Sequence, residues 1–137
     1  MAKIWVVVGD NSRARMFATN RAAPLEERED YVPAYDPGQD KERFTDRTAH
    51  QGHVAEGGRD PAAEADRRFV RRIAGRLREA RLAGEYERLF LVAPPVFLGE
   101  LRQALDSGTR EVVVGEAAKN LSQLRADDIR AHLPELL

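Results

Sequence analysis

A short apolar segment that stops at two consecutive prolines constrains the fold of this chain more than any other feature. Leu89 to Val92 are four apolar residues in a row, which is typical of a strand buried on both faces of a sheet. Pro94 and Pro95 end that strand because proline has no N–H to donate, yet proline is well suited to opening a helix. Apolar side chains then recur at helical spacing: Phe97, Leu98, Leu101, Ala104 and Leu105. A strand that feeds a crossover helix predicts at least one parallel strand pair.

The length and the charge of the chain limit its class. Its 137 residues are enough for one domain, spanning 1–137, that buries its own core. The net charge of −1 gives no overall attraction to nucleic acid or membrane, so any such attraction must be local. The absence of cysteine excludes disulfides, thiolate metal sites and thiol nucleophiles. The apolar run from Ile4 to Val8 is too short for a secretion signal or a membrane span, so we expect a cytoplasmic protein without a membrane partner.

Three strands are predicted in the first part of the chain. Ile4 to Val8 is apolar on both alternating faces, which indicates a central strand. Gly9 to Ser12 has the composition of a turn, so Arg13 to Thr19 is predicted to return antiparallel to the first strand. Leu25 to Val32 is so rich in charged residues that it is predicted to be an exposed edge strand.

The second half of the chain alternates helices and strands. A long helix is predicted to begin at Asp60-Pro61 and to stop at Gly84. The helix after the two prolines is predicted to end near Gly108, and a final strand to span Glu111 to Gly115. A last helix is predicted around Asp127, in its first turn. The long helix has a predicted buried stripe: Ala65, Phe69, Ile73, Leu77 and Ala80.

The order of these elements predicts an α/β fold. Three antiparallel strands followed by right-handed crossovers give a mixed five-stranded sheet with helices on both faces. This is the ribonuclease H-like layout, in which the first strand is central and parallel to the fourth. The segment 35–60 has no sustained periodicity and is predicted to be a mobile functional loop.

Several segments resemble the signatures of the bacterial host-attachment protein family. Trp5 to Phe17 resembles the opening signature, Leu91 to Arg102 the second, and Lys119 to Leu124 the third. Asp46 and Arg47 belong to a weaker loop motif between them. The resemblance runs in the right order through nearly the whole chain, and the Ala-Pro-Pro segment is its specific part.

The resemblance implies a partner in translation. The family is named for bacterial attachment to host cells and is considered similar to the middle domain of archaeal and eukaryotic peptide-chain release factors. That domain hydrolyses peptidyl-tRNA with a Gly-Gly-Gln loop. Gly57, Gly58 and Arg59 lie roughly where such a loop would lie, with arginine in place of glutamine. The expected partners are therefore ribosomal RNA or tRNA, and any role in attachment is expected to be indirect.

The preferred ligand site is a crevice at one edge of the sheet. In open α/β sheets, ligands bind beyond the carboxyl ends of parallel strands, where the connections diverge. Polar turn groups, a helix N-terminus and a lysine there can hold an anion such as phosphate. The alternative is that the same residues only cap a turn and begin a helix. The predicted crevice has eight residues: Asp10, Asn11, Ser12, Arg13, Pro94, Pro95, Lys119 and Asn120.

Two hydrolases are the alternatives from the enzyme class. A metal-dependent nuclease would use Asp10 together with Glu64, Asp66 or Glu116, but no acid follows the fourth strand, where a second one is needed. A release-type esterase would instead use the loop Gly57–Arg59. No catalytic residue is assigned, because neither constellation is complete.

A zinc site is a further alternative in the loop. His50 and His53 are three residues apart, and Asp46 or Glu56 would have to complete the ligand set. Closed zinc sites usually need four well-spaced ligands, and loop histidines are usually only exposed. We therefore predict no metal site and no cofactor.

The long helix has a local concentration of positive charge. Arg67, Arg71 and Arg78 are predicted to lie opposite its buried stripe, where they would face solvent or follow RNA phosphates. Arg76 is predicted on the flank of the apolar stripe, so it needs either water or an acidic partner. The function predicted is a non-catalytic or weakly catalytic binding protein that contacts RNA or the translation machinery through the loop 35–60 and the crevice. A third class is an interaction protein that forms a homodimer through an exposed strand or helix.

Overall fold

The computed structural model describes residues 3–20, 23–33 and 61–134. The segment predicted to be a mobile loop, 35–60, lies outside the described residues. With it lie the loop residues to which functions were assigned from the sequence: Asp46, Arg47, His50, His53, Glu56, Gly57, Gly58 and Arg59.

The described residues form one mixed five-stranded sheet, as predicted. The strand order is β3-β2-β1-β4-β5, with β1 antiparallel to β2 and parallel to β4. The edge position of β3 agrees with its charged sequence. The strands are β1 (Ile4–Asp10), β2 (Arg13–Thr19), β3 (Glu26–Tyr31), β4 (Arg88–Val92) and β5 (Val113–Ala117).

Helices cover both faces of the sheet. On one face, Phe69 and Ile73 of the long helix and Leu101 of the next pack in one cluster with Trp5 of β1. On the other face, Ile129 of the last helix belongs to a second cluster with alternate residues of β1. β1 therefore separates two cores. The helices are α1 (Pro61–Leu82), α2 (Pro95–Ala104), α3 (Ser107–Glu111) and α4 (Ala126–Ala131).

The predicted limits of α1 are close to those observed. The helix begins at Pro61, and Gly84 adopts a positive φ of 74° two residues after its end. Glycine reaches that conformation without the steric cost that a Cβ would bring, so it stops the helix.

The prediction of one helix from the two prolines to Gly108 was wrong. The helix stops at Ala104, where Leu105 turns to an extended ψ of 140°, and Asp106 then precedes the separate helix α3. The Asp106 carboxylate accepts a hydrogen bond of 2.6 Å from the Thr109 hydroxyl, which holds this second start. As a result the last strand begins at Val113, two residues later than predicted.

A glycine on β5 makes room for an aromatic ring of the neighbouring strand. A Cβ atom on Gly115 would lie 2.6 Å from Cε2 of Phe90, which is itself buried. We expect Gly115→Ala to lower the free energy of unfolding by about 1–3 kcal/mol, because the ring has to move within a packed core. Urea unfolding measures this change. Gly99→Ala in α2 is the control, since its Cβ meets no described atom within 4 Å. Equal stabilities of the two variants would contradict the prediction.

Candidate functional site

The structure brings the first turn and the two prolines to the same edge of the sheet. Val8 of β1 is level with Val92 of β4 in the parallel register, so Asp10 ends its strand beside Pro94. A Cβ on Gly9 would lie 3.2 Å from Cε1 of Phe97 in α2, which shows how closely the two elements approach. The adjacency on which the predicted crevice depends is therefore confirmed.

Both carboxylate oxygens of Asp10 accept hydrogen bonds. Oδ1 accepts from the backbone N–H of Ser12 at 2.8 Å, from that of Arg13 at 3.0 Å, and from the Ser12 hydroxyl at 3.1 Å. Oδ2 accepts from the hydroxyl of Ser122 at 2.6 Å. Asp10 thus organises the β1–β2 turn and also ties it to the segment that follows β5.

These contacts determine the charge of Asp10. Burial by itself raises the pKa of this carboxyl, but the hydrogen bonds from Ser122, Ser12 and Arg13 outweigh burial and bring the pKa below its ordinary value of 3.8. Asp10 is therefore ionised at neutral pH. A general acid or base needs a pKa near the working pH, so Asp10 is better suited to accepting structural hydrogen bonds than to proton transfer.

Two residues that were not selected from the sequence complete this cluster. Ser122 is fully buried, and Oδ1 of Asn120 lies 3.1 Å from its hydroxyl. Arg15 of β2, only 6% exposed, donates to the carbonyl oxygens of Ser122, at 3.1 Å, and of Leu124. The sequence signal for Arg15 was an arginine inside an otherwise buried strand, where a charge requires partners.

The other crevice residues differ in their surroundings. Arg13 forms an ion pair of 2.6 Å with Asp30 of β3, and it helps to hold the pKa of that acid below its ordinary value. Asn11, Lys119 and Pro95 are exposed. Lys119 forms no hydrogen bond or ion pair with the part of the chain that the structure describes. Phosphate binding in the crevice stays a prediction, and an ionised Asp10 at its centre would oppose it.

The acids proposed for a nuclease do not form a metal-binding cluster among the described residues. Within 3–20, 23–33 and 61–134, no three His, Cys, Asp or Glu side chains lie close enough to hold a metal ion. Glu116 instead accepts a hydrogen bond of 2.9 Å from Arg102. Asp10 is therefore not part, in this region of the chain, of a cluster of the several carboxylates that two-metal catalysis requires.

The outer surface of α1 is the second candidate site. Arg67, Arg71 and Arg78, here called the arginine face, are all exposed, as their helical spacing predicted. None of the three forms a hydrogen bond or ion pair with a described residue. Gly75 lies between Arg71 and Arg78 and is also exposed.

Other arginines of the same helix are bound into the fold. Of the two alternatives predicted for Arg76, water or an acidic partner, the structure shows the second: its guanidinium donates to both oxygens of Glu29, at 2.9 and 2.6 Å. Those bonds, against the opposing effect of burial, lower the pKa of Glu29 below its ordinary value of 4.5. Among the further contacts of these arginines, Arg72 donates to the carbonyl oxygen of Val32 and Arg81 donates to Asp106.

We expect Asp10→Ala to lower the free energy of unfolding by about 1–3 kcal/mol at pH 7, because it leaves the donors of the turn and of Ser122 without their acceptor. The folded pKa is lowered, so this stabilisation is present above pH 3.8 and is lost as the pH falls through the folded pKa. The difference in the free energy of unfolding between the wild type and the variant should therefore decrease below pH 3.8. Urea unfolding at pH 7 and pH 3 tests this, with exposed Asn11→Ala as the control. A difference in the free energy of unfolding that stays constant with pH would contradict this prediction.

Comparison with known proteins gives a family and a fold. The model of the family described as "Protein required for attachment to host cells" matches residues 5–133. No curated protein matches. The chain resembles the crystal structure of the archaeal translation termination factor aRF1, with a TM-score of 0.55 and 13% identity over 97% of this chain and 35% of the other. It also resembles a structure titled "Archaeal protein", with a TM-score of 0.52 and 13% identity over 92% of this chain and 32% of the other.

The likenesses to these two structures concern the fold. At 13% identity they show a shared fold, and the chain spans about a third of the length of either archaeal protein. Among the described helices, none combines the length and the apolar character needed to cross a membrane.

Proposed function

Given that the chain belongs to the family of proteins required for attachment to host cells, we propose that it is a non-catalytic binding protein that contacts RNA of the translation machinery. The contact surface is the arginine face of α1, and the RNA is ribosomal RNA or tRNA. On this proposal the protein works in the cytoplasm and any effect on attachment is indirect. The fold shared with an archaeal termination factor is the reason to choose translation as the setting.

The observation that carries the proposal is that some arginines of α1 pair with acids of the fold while the arginine face stays exposed. Arg76 and Arg81 are used by the fold, each in an ion pair with an acid. Arg67, Arg71 and Arg78 are exposed and have no acidic partner among the described residues. Three guanidinium groups on one side of a rigid helix can replace the counterions of a phosphate backbone, and the released ions favour binding. The attraction is local, because the net charge of the chain is −1.

The proposal is for binding rather than catalysis because of the state of Asp10. Its two oxygens are occupied by donors from the turn and from Ser122, and its pKa is lowered. A hydrolase that used this carboxylate would depend on a group that already holds the first turn in place. The arginine face has no such structural role among the described residues.

The test is co-sedimentation of the purified protein with ribosomes over a series of salt concentrations. Electrostatic binding should weaken as salt rises, with log K falling linearly against log salt. The variant Arg67→Glu, Arg71→Glu, Arg78→Glu should bind at least about tenfold more weakly, and its salt slope should be smaller in magnitude by roughly two to three, the loss expected for three phosphate contacts.

The matched control changes three cations on other surfaces: Lys3→Glu, Arg88→Glu, Arg125→Glu. All three side chains are exposed, and the change in net charge is the same as in the arginine-face variant. The control should keep wild-type binding, because the total charge is not what attracts the RNA. Absence of association at low salt would remove the proposal, and so would an equal loss of binding in both variants.

A further inference from the structure

Gly75 lies in α1 at a point where the described part of the fold does not require glycine. It is exposed, and a Cβ built on it meets no described atom within 4 Å. Its φ is not positive, so an L side chain could take the same backbone conformation. Glycine weakens a helix interior relative to alanine, and neither packing nor backbone geometry in the described residues compensates for that here.

Gly75 leaves a gap on the helix surface between Arg71 and Arg78. It lies four residues after Arg71 and three before Arg78, so all three share one side of the helix. Along α1 the two arginines are about 10 Å apart at 1.5 Å per residue. The missing side chain leaves a shallow gap in which a ligand backbone can approach the helix itself, with a guanidinium on either side.

The composition of this surface favours one form of RNA. Proteins that bind single strands combine a positively charged groove along the backbone with aromatic side chains on which the bases stack. The sole aromatic residue of α1, Phe69, is buried in the core. With no aromatic side chain of α1 on it, the arginine face can stack bases only on its guanidinium planes, whereas duplex RNA is recognised mostly through its shape, phosphates and 2′-hydroxyls.

We propose that the arginine face binds the sugar-phosphate backbone of double-stranded RNA, with Gly75 as the point of closest approach between Arg71 and Arg78. The inference rests on the proposed function and adds the class of RNA and a residue that sets the fit. It implies binding that is insensitive to base sequence, because the phosphates carry no sequence information.

The experiment measures fluorescence anisotropy with a labelled RNA duplex of about 20 base pairs, longer than the roughly 16 base pairs that one compact double-strand-binding domain spans. The second probe is an unstructured single strand of the same length, and a duplex of unrelated sequence is the third. The wild type should bind both duplexes equally and at least tenfold more tightly than the single strand.

Gly75→Gln tests the close approach. A glutamine is uncharged and favours helix, so the melting temperature should rise by about 2–5 °C while the affinity for the duplex falls about tenfold. Gly75→Ala should also raise the melting temperature and lower the affinity for the duplex, with a smaller loss of affinity. Gly99→Ala in α2 is the matched control: it makes the same change in helix propensity away from the arginine face, and the affinity should not change.

The outcomes separate the two proposals. If the wild type binds duplex and the arginine-face variant does not, but Gly75→Gln binds as the wild type does, the closest approach is elsewhere and this inference is overturned while the proposed function stands. If the wild type binds the single strand as tightly as the duplex or more tightly, the proposal that the arginine face binds double-stranded RNA is overturned. If the wild type binds neither RNA nor ribosomes, both proposals fail.

Discussion

The parallel pairing of β1 with β4 is the contact on which the rest of this fold depends. β1 is hydrogen-bonded on both sides, to β2 antiparallel and to β4 parallel, and its side chains enter both hydrophobic cores. Because the two strands run in the same direction, the turn after β1 and the double proline after β4 must come to the same edge. The helices α1 and α2 then cover one face of the sheet, and α4 covers the other.

The three segments that resemble host-attachment signatures converge at this edge. Asp10 belongs to the first, Phe97 to the second and Ser122 to the third. The Gly9–Phe97 approach and the hydrogen bond between Asp10 and Ser122 join them, although Asp10 and Ser122 are 112 positions apart in the chain. Gly9, Asp10, Phe97 and Ser122 therefore have a structural role at this edge. The surface on which we place the function, on α1, lies in none of the three.

The arginines of α1 show how far periodicity can predict a site. Helical spacing was enough to predict that Arg67 and Arg78 are exposed and that Arg76 lies beside the apolar stripe. The direction of each side chain follows from its position on one regular helix. Which acid would meet Arg76 could not be obtained this way. Glu29 comes from a distant edge strand, and nothing within α1 specifies it.

The sequence by itself determined the strands, the long helix, the mixed sheet and the solvent-facing arginines, because each follows from local periodicity, proline and glycine chemistry, or chain connectivity. It misplaced the end of α2, where the local bond from Thr109 to Asp106 starts a new helix. Tertiary structure alone decided that Asp10 is held by Ser122 and that Arg15 is buried against the segment after β5. Those contacts join residues more than 100 positions apart, so only the folded sheet brings the donors and acceptors within hydrogen-bonding distance.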